Sequence, residues 1–452
     1  MRRFLLVGLI LSASTTARSS SPDQLDADAW VARVLAGPAG AVVDADAARG
    51  RAAVEGTGLW ANPGLRLERQ SGPLLNQSQG SQDFLSLEVA LPISGHRGLS
   101  RQAAEQRARA SDLDATQARA TLAHDALQVF IDVVATNRRH LTLGAERATL
   151  LPVVEAARRR AEAGESSKAQ ALRLALELAR VDDDVAAAAA DRAAARASAE
   201  ALAGGPVPPF SDVLPGSDSP LPSGRGAGGE VAAAGGAAAG GEVAAAGGAA
   251  AGGEVAEAGG EVSEAGTGGG AGAVVLQALQ QRSEAAATDE DAANRRIIPD
   301  LILGGGPSLL QTGSADMSVG YLVTVGIELP VFDRGQGDAA RARKERLALD
   351  AQRDVVSLRL DSARAAASAR AVSARTRSEA FAAAVVQARG LFDAAAADFG
   401  VGSGDVVAFV DAAAAVREAR LHLITVQADA ARADVDLALV NGALGAPSES
   451  TP

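Results

Sequence analysis

The amino-acid sequence predicts a mainly α-helical chain with a β section built for a membrane, and it predicts that this plan occurs twice. Three observations carry that reading. From Val319 to Leu329 every odd position is apolar (Val319, Tyr321, Val323, Val325, Ile327, Leu329), while the even positions hold Gly320, Thr324, Gly326 and Glu328, with Leu322 the exception. A period of two marks a strand with two unlike faces. Long Ala-, Arg-, Glu- and Leu-rich stretches follow such segments, with apolar residues at helical spacing: Leu127, Phe130, Ile131 and Val134 in one, and Val385, Phe392 and Phe399 seven apart in the other. Finally, landmarks recur at one offset. "EVALP" ends at Pro92 and "GIELP" at Pro330, 238 residues apart (330 − 92); Gly164 and Gly402, and Gly204 and Gly442, are separated by the same 238. One repeated offset at three landmarks reads as tandem duplication.

Each half has the same order of elements. A short helix comes first, at about 24–56 and about 274–296. "NPGLRLERQ" from Asn62 and "IPDLILGGG" from Ile298 read as strands, followed by polar loops ("GPLLNQSQGSQ"; "PSLLQTGSADM"). The second strand of the first half covers 83–91, with Leu85, Leu87, Val89 and Leu91 on one face and Phe84, Ser86, Glu88 and Ala90 on the other. Strands of nine to eleven residues match the length that crosses a bilayer at a tilt. A long helix follows, at about 98–162 and 338–397, with only Pro152 as a strong breaker; about 65 residues give roughly 100 Å at 1.5 Å each. After a glycine turn a helix returns, at about 166–203 and 405–441.

The domain plan is therefore a signal peptide at 1–17, a first repeat at 24–204, an insert at 205–272, a second repeat at 273–445 and a disordered tail at 446–452. Arg2 and Arg3 precede the short apolar run "FLLVGLILSA", and "TTA" ending at Ala17 offers small residues for cleavage. The insert opens Pro-rich ("GGPVPPF", "LPGSDSPLP") and continues with "GGEVAAAGGAAA" at 228–239, repeated identically at 240–251. Such a Gly/Ala tract buries too little to offset its ordering entropy and reads as a linker.

Composition removes several function classes. A net charge of −12 disfavours nucleic acid, whose phosphates need a basic surface. The absence of cysteine excludes disulfides, zinc–thiolate sites and thiol nucleophiles. His96, His124, His140 and His422 lack metal-ligand spacing, and "GGGPSLLQTGS" lacks the Gly-Lys-Ser/Thr that would hold phosphates. The expectation is no enzyme, with no catalytic, cofactor-binding or metal-ligating residues. No later stretch approaches about 20 uninterrupted apolar residues, so a membrane crossing would use strands.

Those strands impose a further condition. One chain supplies four, membrane barrels begin at about eight, and lipid does not tolerate an open sheet edge. Several copies must therefore cooperate. The odd apolar face would meet lipid, the face bearing Arg66, Glu68, Glu88 and Glu328 would line water, and Trp60, Phe84, Tyr321 and Phe332 would form a girdle near the strand ends.

"NPGLRLE", "SLEVALPISGHRG", "VGIELPVFDRGQGDAARA" and the two glycine turns, doubled across the chain, resemble the TolC family of outer-membrane efflux proteins; "LPVFDRGQG" and "SGHRG" resemble most its cobalt–zinc–cadmium resistance branch. The resemblance implies a homotrimer in the outer membrane, with a twelve-stranded β-barrel continued by a periplasmic α-helical barrel. It implies a passive exit duct for metal cations or small toxic compounds, fed by an inner-membrane transporter of the resistance–nodulation–division type through a periplasmic adaptor protein, or serving a type I secretion system. The insert falls at the family's equatorial belt. The family's tip turn, an aromatic followed three residues later by Gly, is matched by Phe399, Gly400, Val401 and Gly402; in the first half Gly164 matches but Ala161 replaces the aromatic. Gly164, Glu165, Ser166, Phe399, Gly400, Gly402 and Ser403 are the implied adaptor-docking residues. Asp411 matches a position where some members carry a gating aspartate ring; the neighbouring aspartate position is Ala408 here, and Asp405 stands one turn nearer the tip. An N-cap role for Asp405 is an equal alternative. A periplasmic adaptor or a secreted coiled-coil protein are the rival readings, and both leave the 238-residue repeat or the four strands unexplained.

Overall fold

The computed structural model describes residues 24–73, 79–215, 271–312, 316–400 and 405–444; the expected signal peptide at 1–17, the Gly/Ala tract and the tail at 446–452 lie outside them. The described elements are helices α1 (Ala27–Leu35), α2 (Pro38–Glu55), α3 (His96–Glu162), α4 (Lys168–Ala203), α5 (Ala271–Asn294), α6 (Gln336–Gly400) and α7 (Val406–Asn441), and one four-stranded sheet of β1 (Gly64–Pro73), β2 (Gln79–Leu91), β3 (Leu301–Thr312) and β4 (Asp316–Ile327). The duplication is visible element by element. α4 and α7 both have 36 residues, and both of their ends stand 238 residues apart. α3 and α6 have 67 and 65 residues, about 100 Å each.

The first helix of the sequence reading is two helices, because Gly37 and Pro38 interrupt it. Pro38 occupies the first position of α2, where its missing N–H is not needed. α2 packs on the sheet-proximal half of α3, and α5 packs on both α3 and α6, so the two elements hold equivalent places in the two repeats. Arg51–Asp112 and Arg119–Asp44 tie α2 to α3; Arg107–Asp289 and Arg282–Asp114 tie α5 to it. Beyond that level α3 pairs with α4, and α6 with α7.

The largest core lies halfway along α3. Leu127, Phe130, Ile131 and Val134, the predicted seam, are buried with Trp30 and Val34 of α1 and Val435 of α7. Each such side chain stabilises the fold by about 1.5–3 kcal/mol. Residues 205–215, read from sequence as the start of a flexible insert, are ordered against this core. Phe210 meets Trp30 edge-on at 5.2 Å and Phe130 at 5.5 Å, Val207 and Leu214 are buried, and Ser211 N donates to Leu25 O at 2.7 Å. The segment's prolines limit the entropy lost on ordering, and its three apolar side chains supply burial that the Gly/Ala tract lacks.

The sheet is antiparallel in the order β1-β2-β3-β4, so the hairpin of one repeat pairs with that of the other. Its strands are longer than sequence alternation indicates. β2 has 13 residues and β3 and β4 have 12 each, running on into stretches read as loops. The extensions carry Gly, Ser, Gln and Asp, so they lack the apolar alternation that marks the rest. β3 even passes through Pro307, and the β2–β3 pairing skips Leu85–Ser86 and Gly306–Pro307, where proline has no N–H to donate. A Cβ on Gly306 would sit 1.8 Å from Leu85 O. Gly306→Ala is therefore expected to destabilise the β2–β3 seam by at least about 1–3 kcal/mol, read as loss of folded protein from the membrane fraction. Gly305→Ala, whose Cβ would lie 3.4 Å from Leu322 O, is expected to cost less.

Candidate functional site

The sheet and the two helical turns occupy opposite ends of the long helices, and each end carries part of the site. In the sheet, register sorts residues by parity. Leu65 pairs Leu87, Leu87 pairs Gly305 and Gly305 pairs Val323; Leu303 pairs Val325 and Leu301 pairs Ile327. The odd face is thus a continuous apolar surface, and it is unusually exposed: Tyr321 is 89% and Val323 80% accessible. Contiguous apolar exposure of this kind marks a surface made for lipid or protein. The opposite face holds small and polar groups, including Ser86, Ser308, Thr324, Gly304 and Gly306.

Three of the predicted water-facing residues share that second face. Arg66 Nη1 lies 3.1 Å from Glu88 Oε1, and Glu68 accepts from Gln70 Nε2 at 2.9 Å. Glu328 lies just past β4, where it lines a polar recess with His96, Asp300 and Asp333. The sequence reading missed Arg69 and Asp83. They pair on the odd, apolar face near the hairpin tip, with Arg69 Nε 2.6 Å and Nη2 2.8 Å from the carboxylate oxygens, which marks where that face stops being apolar. Of the aromatic girdle, Trp60 and Phe332 lie beyond strand ends and are exposed, as expected. Tyr321 and Phe84 are mid-strand, and Phe84 is on the polar face opposite Ser308; the lengthened strands moved both away from the ends.

At the far end, α3 stops at Glu162, and Gly164 just beyond it has a φ of 77° that lets the chain turn; Glu165 N donates to Arg160 O at 2.8 Å. Ser166 is only partly buried, and the helix cap is its neighbour Ser167, whose hydroxyl accepts from Ala169 N. Gly400 ends α6, and Phe399 stacks on Phe409 with ring centroids 5.1 Å apart. Gly402 and Ser403 lie outside the described residues. Asp405 caps α7, its carboxylate accepting from Val407 N at 3.0 Å. Asp411 is 68% exposed, with Arg173 of α4 3.9 Å away. Phe392, Phe399 and Phe409 pack with Leu150, Val154, Leu174 and Val181 into a second core that holds the two turns together.

Above that core lies a charge cluster that sequence reasoning missed. Arg417 of α7 reaches Glu177 of α4 at 2.7 Å and stands 3.9 Å from Glu146 of α3. Glu177 is 4% exposed and Arg180 lies 3.3 Å from its other oxygen. Burial is the main cause that pushes the Glu146 carboxyl up to about 7. No sequence signal distinguishes these residues from the many solvated charges on the same helices.

The comparisons agree with this architecture. Residues 273–443 match the family model of the outer membrane efflux protein. No curated protein matches the chain. Among solved structures, the chain aligns with CusC, studied in its folding and transmembrane channel formation, at a TM-score of 0.69 and 15% identity, covering 93% of each chain. It aligns with the outer membrane protein VceC of Vibrio cholerae at 0.66 and 14% identity, covering 92% of this chain and 96% of that one. The open-state outer membrane channel MtrE of Neisseria gonorrhoeae gives 0.63 and 16% identity over 92% and 88%. The match to the outer membrane efflux protein family thus covers the second repeat, and the chain shares the fold of these channels over nearly its whole length.

Proposed function

We propose that the protein is the outer-membrane channel of a tripartite efflux system, a passive duct that crosses the outer membrane through its strands and the periplasm through its helices. The observation that carries this is the sheet: four strands with one continuous exposed apolar face and two unpaired outer strands, β1 and β4. In lipid such edges must pair. Three copies placed side by side supply twelve strands and join β4 of one copy to β1 of the next, with Arg66, Glu68 and Glu88 turned to water.

The helices support the same assembly. α6 keeps Leu347, Leu358, Val372 and Val386 exposed along its length, and its most apolar stretch is unburied in the single chain. A neighbouring copy would cover it, continuing the barrel as a helical tunnel. At the turns, Gly164, Glu165, Ser166, Phe399 and Gly400 are the described residues of the end offered to a periplasmic adaptor, which connects the duct to an inner-membrane transporter; Gly402 and Ser403, the other docking candidates, lie outside the described residues. Asp405 and Asp411 are the gate candidates of this end, and three copies of each at a narrow aperture would repel one another and attract cations. The resemblance of "LPVFDRGQG" and "SGHRG" to the metal-resistance branch makes divalent metal cations the first substrate class to test.

Fractionation and mass measurement test the assembly. The protein is expected in the outer membrane, and its detergent complex is expected to have the mass of three mature chains. A water-soluble monomer would refute the duct and favour the adaptor or coiled-coil reading. Asp405→Ala is expected to cost about 1 kcal/mol at the α7 N-terminus by loss of its cap, measured by thermal unfolding, whereas the exposed Asp411→Ala is expected to leave stability unchanged within about 0.5 kcal/mol.

A further inference from the structure

Where the two helical hairpins meet, α3, α4, α6 and α7 line a half-open cavity of about 190 Å³ that includes Glu146, Glu177, Phe392, Phe409, Arg417 and Arg420 among its walls. Charged groups approach from all four helices: Glu146 from α3; Glu177, Arg180 and Asp184 from α4; Arg389 and Asp393 from α6; Arg417 and Arg420 from α7. Arg417 is only 16% exposed, Glu177 4% and Glu146 14%. Arg417 is committed to Glu177 at 2.7 Å, and Glu146 Oε2 is buried with no hydrogen-bond donor among the described residues. Two buried carboxylates therefore compete for one buried guanidinium.

The two charge states of Glu146 have different consequences for packing. With Glu146 neutral, Arg417 and Glu177 balance each other, and the cluster holds α7 against α4. With Glu146 ionised, a second negative charge faces Glu177 and Asp184 in a poorly hydrated site, and the favourable response is to admit water and loosen the contact. We propose that Glu146 is a proton-binding site that sets how tightly the α6–α7 hairpin is held on the α3–α4 hairpin. This inference rests on packing within one chain and stands apart from the duct reading.

The direction with pH follows from linkage. Burial, with Glu177 and Asp184 adding to it and Arg417 and Arg420 opposing, lifts the carboxyl from 4.5 to about 7. Between those values the folded chain holds a proton that the unfolded chain has released. The stabilising contribution is full below about 4.5 and is lost as pH rises through about 7. Low pH tightens the hairpins, and pH above neutrality loosens them.

The chain has no cysteine, so two introduced ones take spin labels at single sites. Leu172→Cys on α4 and Leu391→Cys on α6, both exposed, place one label on each hairpin. Labelled chains are diluted into unlabelled copies, and the interlabel distance is measured by pulsed electron paramagnetic resonance from pH 5.5 to 8.5. The wild-type background is expected to show a narrow distribution at low pH and a longer, broader one at high pH, with a midpoint near 7. Glu146→Gln is expected to stay narrow throughout. Asp184→Asn, which removes one charge that raises the carboxyl, is expected to move the midpoint to lower pH. A distribution independent of pH in the wild-type background, an unchanged transition in Glu146→Gln, or an unmoved midpoint in Asp184→Asn would each overturn the proposal.

Discussion

Arg417→Met is expected to lower the stability of the helical part by about 3–5 kcal/mol, seen as a drop in the thermal or denaturant midpoint of far-ultraviolet circular dichroism. The side chain connects the two repeats by charge, joining α7 to Glu177 of α4 and approaching Glu146 of α3. Removing it strands Glu177, which is 4% exposed, with only the outward-lying Arg180 at 3.3 Å as a cationic partner. The loss comes from an uncompensated buried charge rather than from the net worth of the pair, which is small once desolvation is subtracted. The double variant Arg417→Met with Glu177→Leu is therefore expected to regain most of the stability. If the double variant were as unstable as the single one, packing around the Arg417 stem, not charge, would be the cause.

Val323→Arg is expected to abolish accumulation of the assembled protein in the outer membrane. Val323 lies in the interior of β4, on the odd face, and is 80% accessible in the single chain. An arginine at bilayer mid-depth on the lipid face of a barrel costs about 2–4 kcal/mol, and a trimer carries that cost three times. Ser318→Arg, in the same strand but on the even face, is expected to insert normally, because the proposed barrel turns that face to water. The contrast is read from the amount of membrane-embedded oligomer in each variant. Equal losses would mean that the two faces are not divided between lipid and water as their residues indicate.

The backbone plan of this chain is legible from sequence because its signals are periodic and repeated. Period two at 319–329 and 85–91 located β4 and β2, helical spacing located the seam at Leu127, Phe130, Ile131 and Val134, and the offset of 238 fixed α4 and α7 relative to each other. What escaped lacks periodicity. The outer ends of the strands are Gly-, Ser- and Gln-rich and resemble loops until the partner strand is in place. Phe210, in a Pro-rich segment, finds Trp30 and Phe130 only through tertiary contact. Glu146, Glu177 and Arg417 come from three helices, and their burial depends on which helical faces meet. Phe399 matches a position in a family pattern, and the structure adds that it stacks on Phe409; Asp405, read from sequence as a gate candidate or a helix cap, caps α7.

The central claim is that copies of this chain enclose a water-filled path, and planar-bilayer conductance tests it most directly. Purified protein reconstituted at low density is expected to give discrete, long-lived current steps of uniform size, with cations carrying most of the current under the proposal that Asp405 and Asp411 ring the aperture. Asp405→Ala with Asp411→Ala is expected to reduce that cation preference while leaving the steps in place. An absence of steps from protein shown to be folded and inserted would contradict the account.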